Sequence, residues 1–145
     1  MRALPSVVST SSSSSKIPFM LSCVQAGFSS PASDHYEQAL DLHELTIKHP
    51  EATFFVRVSG ESMRDAGIYP DDILIVDRSL SATSGNIVIA IINDEFTVKR
   101  LVFHKQKWFL KPENASFPAI EINGDNPAQI WGVVTFAIHN VYPNA

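Results

Sequence analysis

Two residues in this 145-residue chain have the types and settings that nucleophilic catalysis needs. Ser62 comes just after Gly60, at the end of a run in which Phe54, Val56 and Val58 alternate with Phe55, Arg57 and Ser59. Period-two alternation predicts a half-buried strand, and the glycine stops it. A serine on a sharp corner points its hydroxyl outward and leaves neighbouring backbone N–H groups bare, which suits both a nucleophile and an oxyanion hole. Ser and Gly also build ordinary turns, so the corner alone decides nothing. Lys99 is the second residue. It sits in Glu95 to Leu101, where Phe96 and Val98 alternate with Thr97, Lys99 and Leu101, and Val102-Phe103 follow. An ammonium drawn toward such an apolar interior loses hydration, its pKa falls, and it becomes a general base near neutral pH. The competing reading is an edge lysine that lays its stem on apolar surface and keeps its head in water.

The elements that must hold these residues are short. Ile68 to Asp72 reads as a turn, with Pro70 suited to the second position of a type I turn. Ile73 to Val76 is a wholly apolar strand. Ser79 to Ser84 is a polar connector, and Gly85 to Ile92 is apolar on both sides, as a central strand is. Asn93-Asp94 turns the chain into the lysine strand. Trp108 to Leu110 is expected to pair with Leu101 to Phe103 across Lys105-Gln106, Pro112 to Phe117 is a loop, and Ala119 to Ile122 and Gln129 to Ile138 are late strands. Many short strands with turn signals and little helix imply a mainly β, barrel-like body. There is no internal repeat.

Ahead of this body, Ser9 to Ser15 is six serines and a threonine, which builds no core, and residues 1–16 read as a disordered arm rather than a transit peptide. Residues 17–50 form an arm and linker. Ile17 to Pro31 is apolar but broken by Pro18, Gly27 and Pro31, which reads as an extended segment able to lie along another strand. Ser33 to Pro50 is polar, then mildly helical, with Leu42 and Leu45 expected to face inward. Residues 51–145 are the β domain.

The ordered set Val58-Ser59-Gly60-Glu61-Ser62-Met63, Gly67-Ile68, Asp72 to Asp77, Gly85 to Ala90 and Glu95 to Arg100 resembles the self-cleaving peptidase domain shared by LexA repressors and UmuD proteins. The resemblance spans roughly Phe19 to Phe136. It implies a Ser–Lys dyad, one variant of the Ser-His-Asp logic, with Ser62 as nucleophile and Lys99 as base. It also implies self-cleavage, here at Ala26–Gly27, where alanine suits a tight pocket and glycine lets the backbone bend into the site. Thirty-six residues separate Ala26 from Ser62. At roughly 3.3–3.6 Å per extended residue, attack within one chain or on a partner chain is within reach. The family's biology implies a bacterial, cytoplasmic protein of the DNA-damage (SOS) response. The RecA filament on single-stranded DNA stimulates its cleavage, and the shortened homodimer serves a Y-family, UmuC-type translesion polymerase. Only 26 residues precede the expected cut, too few for a helix-turn-helix domain, so the UmuD type is expected over the repressor. The family's Asp-Gly-Asp turn reads Pro70-Asp71-Asp72 here.

Composition narrows the alternatives. Residues 1–33 hold Arg2 and Lys16 and no acid; the other 112 carry 9 basic and 15 acidic side chains, a net of −6. That argues against specific DNA binding. One cysteine, Cys23, excludes an intramolecular disulfide and suits a reducing compartment. No apolar run approaches the ~20 residues that span a bilayer, which disfavours a signal-peptidase-like enzyme. No metal-ligand spacing appears among the five histidines, so neither metal nor cofactor is expected. A catalytically inactive dimeric module and a triad built on His104 are the remaining rivals.

Overall fold

The computed structural model describes residues 16–20, 24, 26 and 39–142. The chain divides into two units, Met1–Leu45 and Thr46–Ala145. Residues 1–15, most of the expected disordered arm, lie outside the described residues.

In the first unit, β1 (Lys16–Ile17) pairs antiparallel with β2 (Leu40–Asp41), setting Lys16 opposite Asp41. Of the segment Ile17 to Pro31, Ile17 lies in this pair, and most of the rest lies outside the described residues. Helix α1 (Leu42–Thr46) follows, its first turn capped where Asp41 Oδ1 accepts the Glu44 N–H at 3.2 Å. Leu42 and Leu45 do not face inward as expected. They are 59% and 42% exposed, because a five-residue helix has little face to bury, and its buried residue is Thr46.

The second unit is mainly β, the expected class. Its strands are β3 (Thr53–Arg57), β4 (Ile73–Asp77), β5 (Ile87–Ile92), β6 (Glu95–His104), β7 (Lys107–Lys111), β8 (Ile120–Ile122) and β9 (Ala128–Ile138). They form one antiparallel sheet in the order β3-β4-β9-β5-β6-β7-β8. β5 is central, as its two-sided apolarity predicts. Ile87 and Ile89 pack with Val58, Met63, Leu74 and Val76; Val88, Ala90 and Ile92 pack with Leu101, Leu110 and Val133 on the other face.

The sheet curls over the first of these clusters. Three strands separate β3 from β6, yet Phe54 of β3 and Phe96 of β6 both reach the Trp131 ring of β9, at 5.2 and 5.5 Å. β9 makes the bend with register shifts against both β4 and β5. Gly132 sits at the second shift, where a Cβ would come within 2.6 Å of Val76 Cγ1. The curl brings β3 and β6 to either side of one cleft.

Two turns set the register of the site. Asn93 and Asp94, at φ +50° and +62°, make the tight β5–β6 reversal that places Lys99 opposite Val88 and Thr97 opposite Ala90. The turn before β4 departs from the expected type I. Asp72 N–H donates to Tyr69 O at 3.1 Å, but Asp71 lies at φ +71°, a left-handed third position of the type II kind. Proline suits the second position of either type, so it could not discriminate between them.

Candidate active site

The corner after β3 has an anchored foot and a free crest. Val58 N–H donates to Asp72 O and Asp71 N–H to Val58 O, both at 2.9 Å, which fastens the strand end to the β4 turn. Gly60, at φ +83°, reverses the chain. Met63 is buried to 1% exposure, and its carbonyl accepts N–H groups from Ala66 and Ile68 as a short 3₁₀ turn, Arg64–Ala66, carries the chain away. Ser62 stands half-buried between the reversal and the foot. Among the described residues, no acceptor takes the backbone N–H of Ser62 or Met63. Both are available to a developing oxyanion.

Lys99 approaches from the opposite wall. Its Nζ lies 3.1 Å from Ser62 Oγ, 2.6 Å from Thr97 Oγ1 and 3.0 Å from Val98 O. The three oxygens match the three protons of an ammonium. On a neutral amine, Thr97 and Val98 take the two remaining protons, and the lone pair faces the Ser62 hydroxyl. Among the described residues no carboxylate pairs with the amine, and burial pushes the Lys99 pKa below its ordinary value. The structure therefore brings Ser62 and Lys99 together in the geometry of a nucleophile and its base.

The cleft is lined by Val56, Val58, Ser59 and Ser62 on one wall and Phe96, Thr97, Val98 and Lys99 on the other, over a floor of Leu74 and Ile89. Both walls offer strand edges. β3 pairs only with β4, and β6 pairs with β7 only from Arg100 onward, so Glu95 to Lys99 has no partner on its outer side among the described residues. An extended peptide can add itself to such an edge.

The remaining sequence-predicted residues fall elsewhere. Ala26 is an exposed residue at a bend of the first unit, and Gly27 lies outside the described residues. His104 is exposed at the β6–β7 hairpin, opposite Lys107. Two other histidines do have aspartate partners: His49 with Asp77 and His139 with Asp72, each at 2.6 Å. These pairs tie loop ends to β4. No group of three or more candidate metal ligands occurs among the described residues, and no helix there is long and apolar enough to cross a membrane. Sequence reasoning missed Thr97 as a lysine partner, although two-residue spacing on a strand puts both side chains on one face.

Comparison with known proteins gives the family. A family model described as Peptidase S24-like matches residues 18–135. Protein MucA of Escherichia coli is 50% identical over 123 residues, covering 84% of each chain. Protein ImpA of Shigella flexneri is 46% identical over 131 residues, covering 84% of this chain and 83% of its own. The LexA repressor of Hahella chejuensis is 40% identical over 111 residues, 76% of this chain and 55% of the repressor.

Proposed function

The chain belongs to the Peptidase S24-like family, among its LexA/UmuD-type serine peptidases, and from that premise we propose that it cuts itself at Ala26–Gly27 with Ser62 as nucleophile and Lys99 as general base. One observation carries the proposal: the 3.1 Å approach of Lys99 Nζ to Ser62 Oγ, with the amine's other bonds satisfied by neutral oxygens.

The steps follow from these positions. Neutral Lys99 takes the Ser62 proton as Oγ bonds to the carbonyl carbon of Ala26. The carbonyl oxygen becomes an oxyanion and draws on the N–H groups of Ser62 and Met63. Collapse breaks the bond to Gly27, and the Lys99 ammonium gives its proton to the departing amine. Water then attacks the Ser62 ester, Lys99 taking a proton from it and passing that proton to Ser62 Oγ as the acyl bond breaks; the Ala26 acid loses its own proton to solvent and leaves as the carboxylate. An ammonium can take no proton, so burial of Lys99 is part of the chemistry.

The biological reading is coarser. Relatives of the MucA and ImpA kind support a role in SOS mutagenesis. We propose that the shortened chain acts as a homodimer serving a Y-family, UmuC-type polymerase subunit, with cleavage stimulated by RecA on single-stranded DNA.

The test is a time course of purified chain from roughly pH 7 to pH 10, below the ordinary lysine pKa. A larger fragment beginning at Gly27 should accumulate faster as pH rises. A rate that stays flat across that range, or a fragment with another N-terminus, would overturn the assignment.

A further inference from the structure

We propose that Asn114 is a positioning residue for the Ser62–Lys99 pair, holding the serine's turn at the distance the amine requires. This rests on the peptidase reading above. Asn114 lies in the loop between β7 and β8, fifty-three residues from the bond it makes: its Nδ2 donates to Glu61 O at 2.9 Å. Its neighbour Glu113 accepts the Asp65 N–H on its own carbonyl at 2.7 Å. The two contacts grip the turn on either side of Ser62, where Glu61, Arg64 and Asp65 are otherwise exposed.

The same dipeptide also holds the opposite wall. The Glu113 carboxylate pairs with Arg100 Nε, one residue beyond the base, and Arg100 Nη1 is fixed on Gly85 O at 2.6 Å. Glu113 and Asn114 thus span from the segment that carries the hydroxyl to the strand that carries the amine.

Asn114 is itself held in place. Its Oδ1 accepts the Ser116 N–H at 3.0 Å, and its carbonyl accepts the Phe117 N–H at 3.1 Å. The bond to Ser116 fixes which end of the amide faces Glu61. The position needs an acceptor and a donor on one short side chain, and asparagine supplies both. It lies outside the cleft lining, so it acts only through Glu61.

Asn114→Asp tests this, being nearly isosteric. An ionised aspartate still accepts from Ser116 but cannot donate to Glu61 O. Self-cleavage should slow by about ten- to a hundredfold well below the unfolding temperature, the scale expected of a displaced reacting group. The pH midpoint of the rate should not move in Asn114→Ser, which adds no charge, because the oxygens around Lys99 are untouched; the new anion of Asn114→Asp raises it. Labelling of Ser62 by a fluorophosphonate should slow in parallel. Asn114→Ser, which keeps a small acceptor but loses the reach, should do the same if the aspartate variant folds poorly. A folded variant that cuts at the parent's rate overturns the brace alone. So does slowing with a shifted midpoint in the uncharged Asn114→Ser, because the effect would then run through the lysine's proton affinity. A parent chain that neither cuts nor takes the label overturns the peptidase reading, and the brace with it.

Discussion

Lys99 Nζ sits closer to Thr97 Oγ1, at 2.6 Å, than to the Ser62 Oγ it would deprotonate, at 3.1 Å. The threonine is thus the amine's tightest partner and sets the direction of its lone pair. Thr97→Val keeps the shape and removes the acceptor. An acceptor stabilises the ammonium more than the neutral amine, so its loss lowers the Lys99 pKa further. The pH–rate profile of self-cleavage should shift to lower pH while its plateau falls about tenfold, the mark of a less well-oriented base. An unchanged plateau would show that Thr97 does not aim the amine.

Substitution of either proposed catalytic residue should remove cutting without removing the fold. Ser62 is half-buried on a crest, and Lys99 is half-buried at an unpaired edge. Ser62→Ala and Lys99→Met should each reduce self-cleavage by at least about a thousandfold, since groups acting as a unit fail together. Circular dichroism should stay that of the parent. In the Ser62→Ala background, Lys99 should cost stability at neutral pH, because its depressed pKa means that the unfolded chain binds the proton more readily. That cost should shrink as pH rises toward the ordinary lysine value of 10.5. Comparing Ser62→Ala with Ser62→Ala/Lys99→Met by thermal melts across pH checks the sign.

Asp71 occupies a left-handed conformation, at φ +71°, which glycine adopts without a Cβ penalty. Aspartate tolerates that region better than most residues, but a Cβ still costs energy there, and glycine's greater freedom in the unfolded chain offsets part of the gain. Asp71→Gly should raise stability by about 0.5 kcal/mol, read as a small rise in denaturant midpoint at constant slope. A lower midpoint would contradict the strained-turn account.

Gly132 has no room for a side chain. Val76, fully buried, would stand 2.6 Å from an added Cβ and has a stiff β-branched rotamer. Gly132→Ala should destabilise the fold by about 1–3 kcal/mol. The melting temperature should fall by several degrees.

Asp77 is buried beneath the Ser79 hydroxyl. That hydrogen bond, against the opposing effect of burial and with help from His49, holds its carboxyl below the ordinary value of 3.8. A depressed carboxylate contributes stability above its unfolded pKa and loses it as pH falls through the folded one. Asp77→Asn should therefore be less stable than the parent at neutral pH, and the gap should close below about pH 3.8.

Much of this was legible in the chain. The alternation of Phe54 to Ser59 and of Phe96 to Leu101, with glycine or Asn-Asp where each strand starts or stops, located the serine and the lysine on their elements. The two-sided apolarity of Ile87 to Ile92 marked β5 as central. Other features depend on contacts that no local pattern encodes. Asn114 meets Glu61 across fifty-three residues. The curl that lets Phe54 and Phe96 share Trp131 arises from bulges in β9. The handedness of the Tyr69–Asp72 turn was hidden because proline fits two turn types equally. The inward placing of Leu42 and Leu45 failed because apolar spacing was read without asking how long the helix would be.

Ser62 follows β3 and Lys99 lies on β6, with β4, β9 and β5 lying between those strands in the sheet. β9 is also the last strand among the described residues, so its residues leave the ribosome after both members of the pair. A nascent polypeptide that has made the serine and the lysine still cannot set them side by side until residues 128–138 have been inserted between earlier strands. The pairing of the serine with the lysine therefore depends on a strand that is made after both of them.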